Sequence, residues 1–169
     1  MNCYRALLRL SLALCVYSAA HADSPAPDAA GLRAFQTDSV KAIRESLSGQ
    51  PFVMALWSVY CEPCREELET LQRFKAAYPQ VAVVLIATDP PEDDAAIRAA
   101  MADFDLSGMQ TWAFADAFAE PLRYAVDPRW RGELPRTYLF DEQHRSSAVS
   151  GRVDRVYLDE WIGRLPNKR

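Results

Sequence analysis

The strongest constraint on this chain is a pair of cysteines placed directly after an unbroken apolar run. Residues 52–57 read Phe-Val-Met-Ala-Leu-Trp, a pattern typical of a strand that is buried on both faces. Cys61 and Cys64 follow, and the apolar spacing beyond them predicts a helix over about 61–77 that Pro79 ends. The two thiols are therefore expected where a buried strand turns into the N-terminus of a helix.

This location favours redox chemistry at the cysteine pair. The unpaired backbone N–H groups of a helix N-terminus stabilise an anion, so Cys61 is expected to form a thiolate more readily than a free cysteine does. The spacing of three residues brings the Cys64 sulfur within reach of a disulfide. Pro63 is tolerated there because first-turn N–H groups lack helical partners. Acidic residues of the same helix, such as Glu62, act in the opposite direction, so the balance stays open.

The first 22 residues have the three parts of an export signal. Arg5 and Arg9 give a positively charged start without acidic residues, a short apolar run follows, and Ala20-His21-Ala22 is the kind of exit that signal peptidase cleaves. The apolar run is shorter than the ~20 residues that cross a bilayer. We therefore predict a cleaved signal peptide at 1–22 and a location in the periplasm. The alternative is an uncleaved segment that anchors the protein in the membrane, facing the periplasm.

Removal of this segment changes the meaning of the composition. The full chain has 169 residues, four cysteines and a net charge of -4. The predicted mature chain keeps only Cys61 and Cys64 as thiols and only His144 as a histidine, and it is more acidic because two arginines are lost. A disulfide-stapled scaffold and a zinc site made of four cysteine or histidine ligands are thereby excluded. The acidic charge, without a basic stripe, predicts no nucleic-acid partner.

The mature chain alternates between strand and helix patterns, which predicts a single α/β domain. Nearly every proline falls at an element boundary. The expected organisation is a flexible leader at 23–30 followed by one domain at 31–169. Strand patterns cover 32–35, 52–57, 81–87, 111–115, 134–140 and 146–153, and helical patterns cover 37–49, 61–77, 92–104, 117–125 and 154–165.

Two segments carry a resemblance to a known family. Residues 57–64, which read Trp-Ser-Val-Tyr-Cys-Glu-Pro-Cys, resemble the active site of thioredoxin-fold proteins, especially the extracytoplasmic TlpA/ResA-like branch. Residues 134–140, which read Leu-Pro-Arg-Thr-Tyr-Leu-Phe, are similar to the family strand that begins at a cis-proline. The resemblance covers about 32–165. It implies a thioredoxin-like α/β fold, with a central mixed β-sheet flanked by helices, and thiol–disulfide oxidoreductase activity.

The resemblance also implies the catalytic roles. Cys61 is the thiolate that attacks a substrate disulfide, and Cys64 is the thiol that resolves the mixed disulfide. Pro135 is expected to be the cis-proline that packs beside the cysteine pair. Leu134, the residue before it, is expected to offer backbone hydrogen bonds to a bound substrate segment.

One departure from the family pattern concerns a buried acid. Thioredoxins carry an aspartate six residues before the first cysteine, and this chain has Ala55 there. The extracytoplasmic branch often has a glutamate three residues after the second cysteine, and Glu67 matches it. Glu67 is therefore either a proton-handling group or an exposed acid near the start of the helix.

Other residues of the two motifs are expected to support the site. Pro63 and Trp57 are supporting residues, and Trp57 and Tyr60 are expected to pack beside the thiols. Tyr60 and Arg136 join Leu134 and Pro135 as candidate substrate-binding residues. For Arg136 three interpretations stay open, which are contact with an acidic partner, an ion pair with Glu62, or simple solvation.

Two residues outside the motifs have weaker expectations. Among the tryptophans outside the two motifs, Trp130 is the candidate for contact with a partner, because it lies on a predicted loop. His144 lies in a predicted turn, where a lone histidine is usually solvated, and it is not expected to be a metal ligand.

The resemblance implies a reductant that acts on disulfides of periplasmic proteins. Its clients would include apocytochrome c during cytochrome c maturation and proteins of copper-site assembly. The oxidised pair would be recharged by a membrane electron donor of the DsbD or CcdA kind. No bound organic cofactor and no metal are expected, the redox group being the Cys61–Cys64 disulfide, and the protein is expected to be a monomer.

Two alternatives stay open. A disulfide oxidase is disfavoured because the sequence shows no long helical insertion between Val81 and Pro135. A copper-binding module or metallochaperone would use Cys61 and Cys64 as soft ligands.

Overall fold

The computed structural model describes residues 25–29 and 31–166, so the predicted signal peptide at 1–22 lies outside the described residues. A short 3-10 turn at Pro91–Asp93 precedes the third helix. The described elements are β1 (Leu32–Phe35), α1 (Ser39–Ser46), β2 (Phe52–Trp57), α2 (Glu62–Ala77), β3 (Ala82–Ala87), α3 (Asp94–Asp103), β4 (Gln110–Phe114), α4 (Ala119–Val126), β5 (Arg136–Phe140), β6 (Ser146–Ser150) and α5 (Arg155–Arg164).

The six strands form one mixed sheet in the order β1-β4-β3-β2-β5-β6. The first four strands of that order run parallel, whereas β5 pairs antiparallel with β2, and β6 pairs antiparallel with β5. The predicted class, a central mixed sheet flanked by helices, is confirmed. The predicted strand at 146–153 is shorter, because β6 ends at Ser150 and Gly151 follows with a φ of 85°.

Alternation along β2 divides the core into two layers. Val53, Ala55 and Trp57 face the layer that contains α2, α3 and α5, together with Cys64 and Leu68. The intervening positions face the layer that contains α1 and α4, and these are Phe52, Met54 and Leu56. The cysteine pair therefore belongs to the α2 side of the sheet.

The end of the predicted leader is attached to the domain. Asp28 accepts a hydrogen bond from the Leu32 backbone N–H, at 3.0 Å, and forms an ion pair with Arg98 of α3, at 2.5 Å. Among the described residues, no helix is long and apolar enough to cross a membrane.

Candidate active site

The cysteine pair lies at the start of α2. Cys61 is the N-cap residue, and it is joined to Cys64 by a disulfide with a Cα–Cα distance of 5.2 Å. The backbone N–H of Cys64 donates to the Cys61 carbonyl, at 3.1 Å. Cys61 is partly exposed, whereas Cys64 is fully buried. Of the two cysteines, Cys61 is therefore the one accessible to a partner protein.

A buried carboxylate holds the connection from β2 to the cysteines. Asp89 accepts a hydrogen bond from the Ser58 hydroxyl, at 2.6 Å, and the Val59 N–H lies 3.2 Å from each of its oxygens. The Ser58 oxygen in turn accepts from the Tyr60 N–H, at 3.1 Å. Asp89 is only 3% exposed. Our sequence reasoning missed this residue, although its position was a signal, because it follows the end of the buried strand β3 beside β2.

The two aromatic residues of the motif differ in exposure. Trp57 is buried in the layer that also contains Cys64, and its packing beside the thiols stays a prediction. Tyr60 was expected to pack beside the thiols, but its side chain is 77% exposed. Its hydroxyl donates to Asp93, at 2.8 Å, and this bond holds the ring toward α3. The hydrogen bond and the charge of Asp93 raise the pKa of Tyr60.

The proline strand reaches the same end of the sheet. The peptide bond between Leu134 and Pro135 is cis. Arg136 pairs with Leu56 in the sheet, so Pro135 lies level with the end of β2 that leads to the cysteines. The Pro135 carbonyl accepts from the Gly151 N–H, at 2.9 Å. The suggested substrate contacts of Leu134 and Pro135 stay predictions.

Glu67 is buried on α2, three residues after Cys64. Its side chain is 2% exposed, so the interpretation as an exposed acid is wrong. Thr137 donates its hydroxyl to one carboxylate oxygen, at 2.5 Å, and the Val153 N–H donates to the other, at 2.9 Å. Thr137 pairs with Ala55, so the helix supplies a carboxylate on the face where thioredoxins would have a strand aspartate.

The environment of Glu67 favours its neutral form. Burial raises the pKa of Glu67, and the hydrogen bonds from Thr137 and Val153 lower it by less. Within the described residues, no ion pair involves this carboxylate. A carboxyl group of this kind can accept and release a proton closer to neutral pH than an exposed one.

Arg136 has structural partners on the opposite face of β5. Its guanidinium lies 3.7 Å from Asp127 and 3.6 Å from Glu133, and it donates to the Ser150 hydroxyl, at 2.5 Å. Its side chain is 15% exposed. The suggested ion pair with Glu62 and the suggested solvation are therefore wrong, since nearer carboxylates hold the guanidinium. Contact with a substrate stays a prediction.

Trp130 and His144 are less free than their sequence positions indicate. Trp130 is buried, and its indole N–H donates to the Glu133 carbonyl, at 2.9 Å, so it has little surface for a partner. His144 is partly buried, with its Nε2 3.0 Å from the Leu47 carbonyl and its ring edge against Phe52. Solvation of His144 is therefore wrong, because the ring packs against the sheet.

The described residues contain no group of three or more histidine, cysteine, aspartate or glutamate side chains that could hold a metal ion. A cavity of about 690 Å³ lies near the other end of β2, lined by Pro51, Tyr78 and Ile162 among others. None of the predicted site residues lines it.

Comparisons with known proteins agree with this geometry. No family model matches the chain. The chain is 23% identical over 123 residues to the thiol–disulfide oxidoreductase ResA of Bacillus thuringiensis subsp. konkukian, which covers 72% of this chain and 66% of ResA.

Solved structures extend the comparison to the fold. A secreted disulfide oxidoreductase of Mycobacterium tuberculosis, homologous to E. coli DsbE, matches with a TM-score of 0.60 and 23% identity, covering 72% of this chain and 86% of that one. StoA of Bacillus subtilis matches with a TM-score of 0.54 and 20% identity, covering 68% and 83%.

The sheet order and the cysteine pair at the start of α2 define a thioredoxin-fold protein, and the solved structures share that fold. At low identity, the chain is homologous to ResA and similar to proteins of the DsbE and StoA kind.

Proposed function

We propose that this protein is an exported thiol–disulfide oxidoreductase that reduces disulfides of periplasmic proteins. The observation that carries the proposal is the unequal exposure of the two cysteines, since Cys61 is partly exposed and Cys64 is buried one helical turn away. Such a pair can form a mixed disulfide at one sulfur and resolve it with the other. The similarity to ResA and to a secreted disulfide oxidoreductase supports the proposal.

The reaction begins with the reduced protein. The Cys61 thiolate attacks one sulfur of a substrate disulfide, forms a mixed disulfide and releases the other substrate sulfur as a thiolate that takes up a proton. Cys64 then loses its proton and attacks the Cys61 sulfur, which releases the second substrate sulfur as a thiolate that takes up a proton from solvent. Two electrons pass to the substrate, and the Cys61–Cys64 disulfide remains on the protein.

Glu67 is suited to accept the proton of Cys64 in the second step. It lies three residues after Cys64 on α2, and its burial favours the neutral carboxyl group that this transfer produces. Thr137 and Val153 hold both of its oxygens in place. The carboxyl group then returns the proton when the disulfide is reduced again.

The reduced state must be restored after each turnover. A membrane electron donor of the DsbD or CcdA kind is the proposed source, and no organic cofactor or metal takes part. Clients in cytochrome c maturation or copper-site assembly are proposed by resemblance. Leu134, Pro135 and Tyr60 are the proposed contacts with the substrate segment, and the protein acts as a monomer.

Trapping of the mixed disulfide tests this function. In Cys64→Ser the resolving thiol is missing, so client proteins should stay attached to Cys61 and be recovered from periplasmic extracts in a form that dithiothreitol releases. Cys61→Ser is the matched control, since it keeps one thiol but removes the accessible one. The wild type should reduce insulin disulfides, and both variants should fail.

Other results would contradict the proposal in different ways. A folded wild type that reduces no disulfide, together with no trapped protein, excludes catalysis. A reduction potential near −120 mV, typical of strong oxidants, would favour the disulfide oxidase. Stoichiometric copper binding that is lost in Cys61→Ser, without reductase activity, would favour the metallochaperone.

Export is tested on the same protein. Expression of the full chain in a Gram-negative host should give a periplasmic product whose N-terminus is Asp23, the residue after Ala22. A product that keeps residues 1–22 and stays with the membrane fraction would support the anchored alternative.

A further inference from the structure

Asp89 is a buried carboxylate that the proposed reaction does not use. It follows β3, and it reaches across to the connection between β2 and α2, where the Ser58 hydroxyl and the Val59 N–H donate to it. Cys61 lies two residues beyond Val59, and its own N–H donates to the Ser58 carbonyl, at 3.1 Å. The segment that Asp89 holds is therefore the one that fixes the first cysteine.

The charge of Asp89 has no cationic partner in the part of the chain that the structure describes. Neutral donors alone hold it, so its negative field is not cancelled locally and acts in a poorly solvated region. The charge of Asp89 is also among the causes that raise the pKa of Tyr60, after the hydrogen bond and charge of Asp93 and burial.

Reduction of the disulfide places a new negative charge on Cys61, two residues beyond the backbone N–H that Asp89 holds. The Cys61–Cys64 bond breaks, two electrons and one proton are taken up, and the products are a Cys61 thiolate and a Cys64 thiol. A fixed negative charge disfavours the thiolate and so favours the disulfide. A protein whose disulfide is favoured is a stronger reductant once it has been reduced.

We propose that Asp89 is a positioning residue that fixes the connection to Cys61 through Ser58 and Val59 and, by its charge, makes the reduced cysteine pair a stronger reductant. This inference rests on the proposed function and deepens it, because it assigns the direction of electron flow to a particular side chain. Asp89 acts through the segment 58–61 and does not touch the substrate.

Other charged groups surround the cysteine pair and must stay constant in a test. Glu62 and Arg65 lie in the first turn of α2, Glu67 follows Cys64 by three residues on the same helix, and Asp93 binds Tyr60 from the start of α3. The variants below leave all of them unchanged, except where Asp93 is itself the control.

The equilibrium between the purified mature protein and a glutathione redox buffer measures the effect. Asp89→Asn keeps an oxygen that accepts from Ser58 and removes the charge, so it should shift the equilibrium toward the reduced form by about threefold to tenfold. Tenfold corresponds to about 30 mV for this two-electron couple. Ser58→Ala keeps the charge and removes the two hydrogen bonds of the Ser58 hydroxyl, to Asp89 and from the Tyr60 N–H, so it should lower the melting temperature and shift the equilibrium by less than about twofold.

Asp93→Asn is the matched control for the loss of one negative charge. Asp93 is more exposed and its field is screened by water, so the equilibrium should change by less than about twofold. A shift as large as that of Asp89→Asn would overturn a specific role for Asp89.

An unchanged equilibrium in folded Asp89→Asn would also overturn the proposal. If that variant does not fold, Asp89→Ser removes the same charge with a smaller polar side chain, and the same shift is expected. An unchanged equilibrium in Asp89→Ser would likewise contradict the proposed role of Asp89. The measurement needs only the cysteine pair and glutathione. Its failure is thus separate from failure of the proposed function, which insulin reduction and trapping detect.

Discussion

Thr137 and Arg136 are neighbours in β5, and their side chains lie on opposite faces of the sheet. Each contacts at least one carboxylate, but among the described residues only those on the Arg136 face have a cationic partner. On the Thr137 face, Glu67 has two neutral donors and no ion pair among the described residues, and burial raises its pKa. On the Arg136 face, the carboxylates of Asp127 and Glu133 lie within 3.7 Å of one guanidinium.

The pKa values of the second face move in the opposite direction. Burial alone would raise the pKa of Asp127, but hydrogen bonds from Arg129 and the charge of Arg129 outweigh it, and the pKa is lowered. The pKa of Glu133 is likewise lowered, because hydrogen bonds and the charge of Arg136 outweigh its partial burial. Asp127 and Glu133 therefore favour the ionised form and hold the structure, whereas Glu67, whose pKa is raised by burial, is suited to exchange a proton.

The largest effect is expected from a substitution of Glu67, on the Thr137 face of the sheet. Glu67→Gln keeps the size of the side chain but cannot accept the Cys64 proton, so the rate of insulin reduction at pH 7 should fall by about 100-fold. The pH profile of that rate should lose its Glu67-dependent limb, while the disulfide still forms. A rate within twofold of the wild type would assign Glu67 a purely structural role.

The next largest effect is expected from a substitution of Arg136, which lies within 3.7 Å of two carboxylates on the other face of the sheet. Arg136→Met keeps an apolar side chain of similar length but removes the guanidinium from Asp127, Glu133 and the Tyr138 ring, so the free energy of unfolding in urea should fall by about 2 kcal/mol. The glutathione equilibrium should stay within about twofold of the wild type. Arg145→Met, which removes an exposed partner of Asp141, is the control and should cost less than about 1 kcal/mol.

The smallest effect concerns stability and pH on the Glu67 face. A carboxyl group whose pKa is raised by folding stabilises the fold fully below its ordinary value of 4.5, and this contribution is lost as pH rises through the folded value. The difference in unfolding free energy between Glu67→Gln and the wild type should therefore grow in favour of the variant from pH 4.5 upward and then level off. A difference independent of pH would show that folding does not raise the pKa of Glu67.

The elements of the fold were predictable because their signals are local. Apolar runs, prolines and turn residues located β2, β3 and α2 to within one or two residues. The partners of the buried charges were not predictable, since Thr137 and Val153 lie 70 and 86 residues from Glu67. Whether an acid at a helical position is buried depends on what the sheet places opposite, and here Thr137 of β5 supplies a hydroxyl donor.

Arg136 and Asp89 show the same limit in different degrees. The partners of Arg136 depend on the path of the loop at 127–133, which has no periodic pattern. The position of Asp89 was easier to predict. The carboxyl ends of the parallel strands β2 and β3 meet at one edge of the sheet, with Trp57 and Ala87 in register.

The hydrogen bond between Tyr60 and Asp93 affects the entropy cost of binding a partner protein. Its ring is 77% exposed, but its hydroxyl is fixed on Asp93, so the free protein already holds this side chain in one orientation. Immobilising a flexible side chain in a complex usually costs about 0.5–1.5 kcal/mol of conformational entropy. A protein that covers the Tyr60 ring avoids part of that loss, and the ring, one residue before Cys61, therefore provides preorganised contact area.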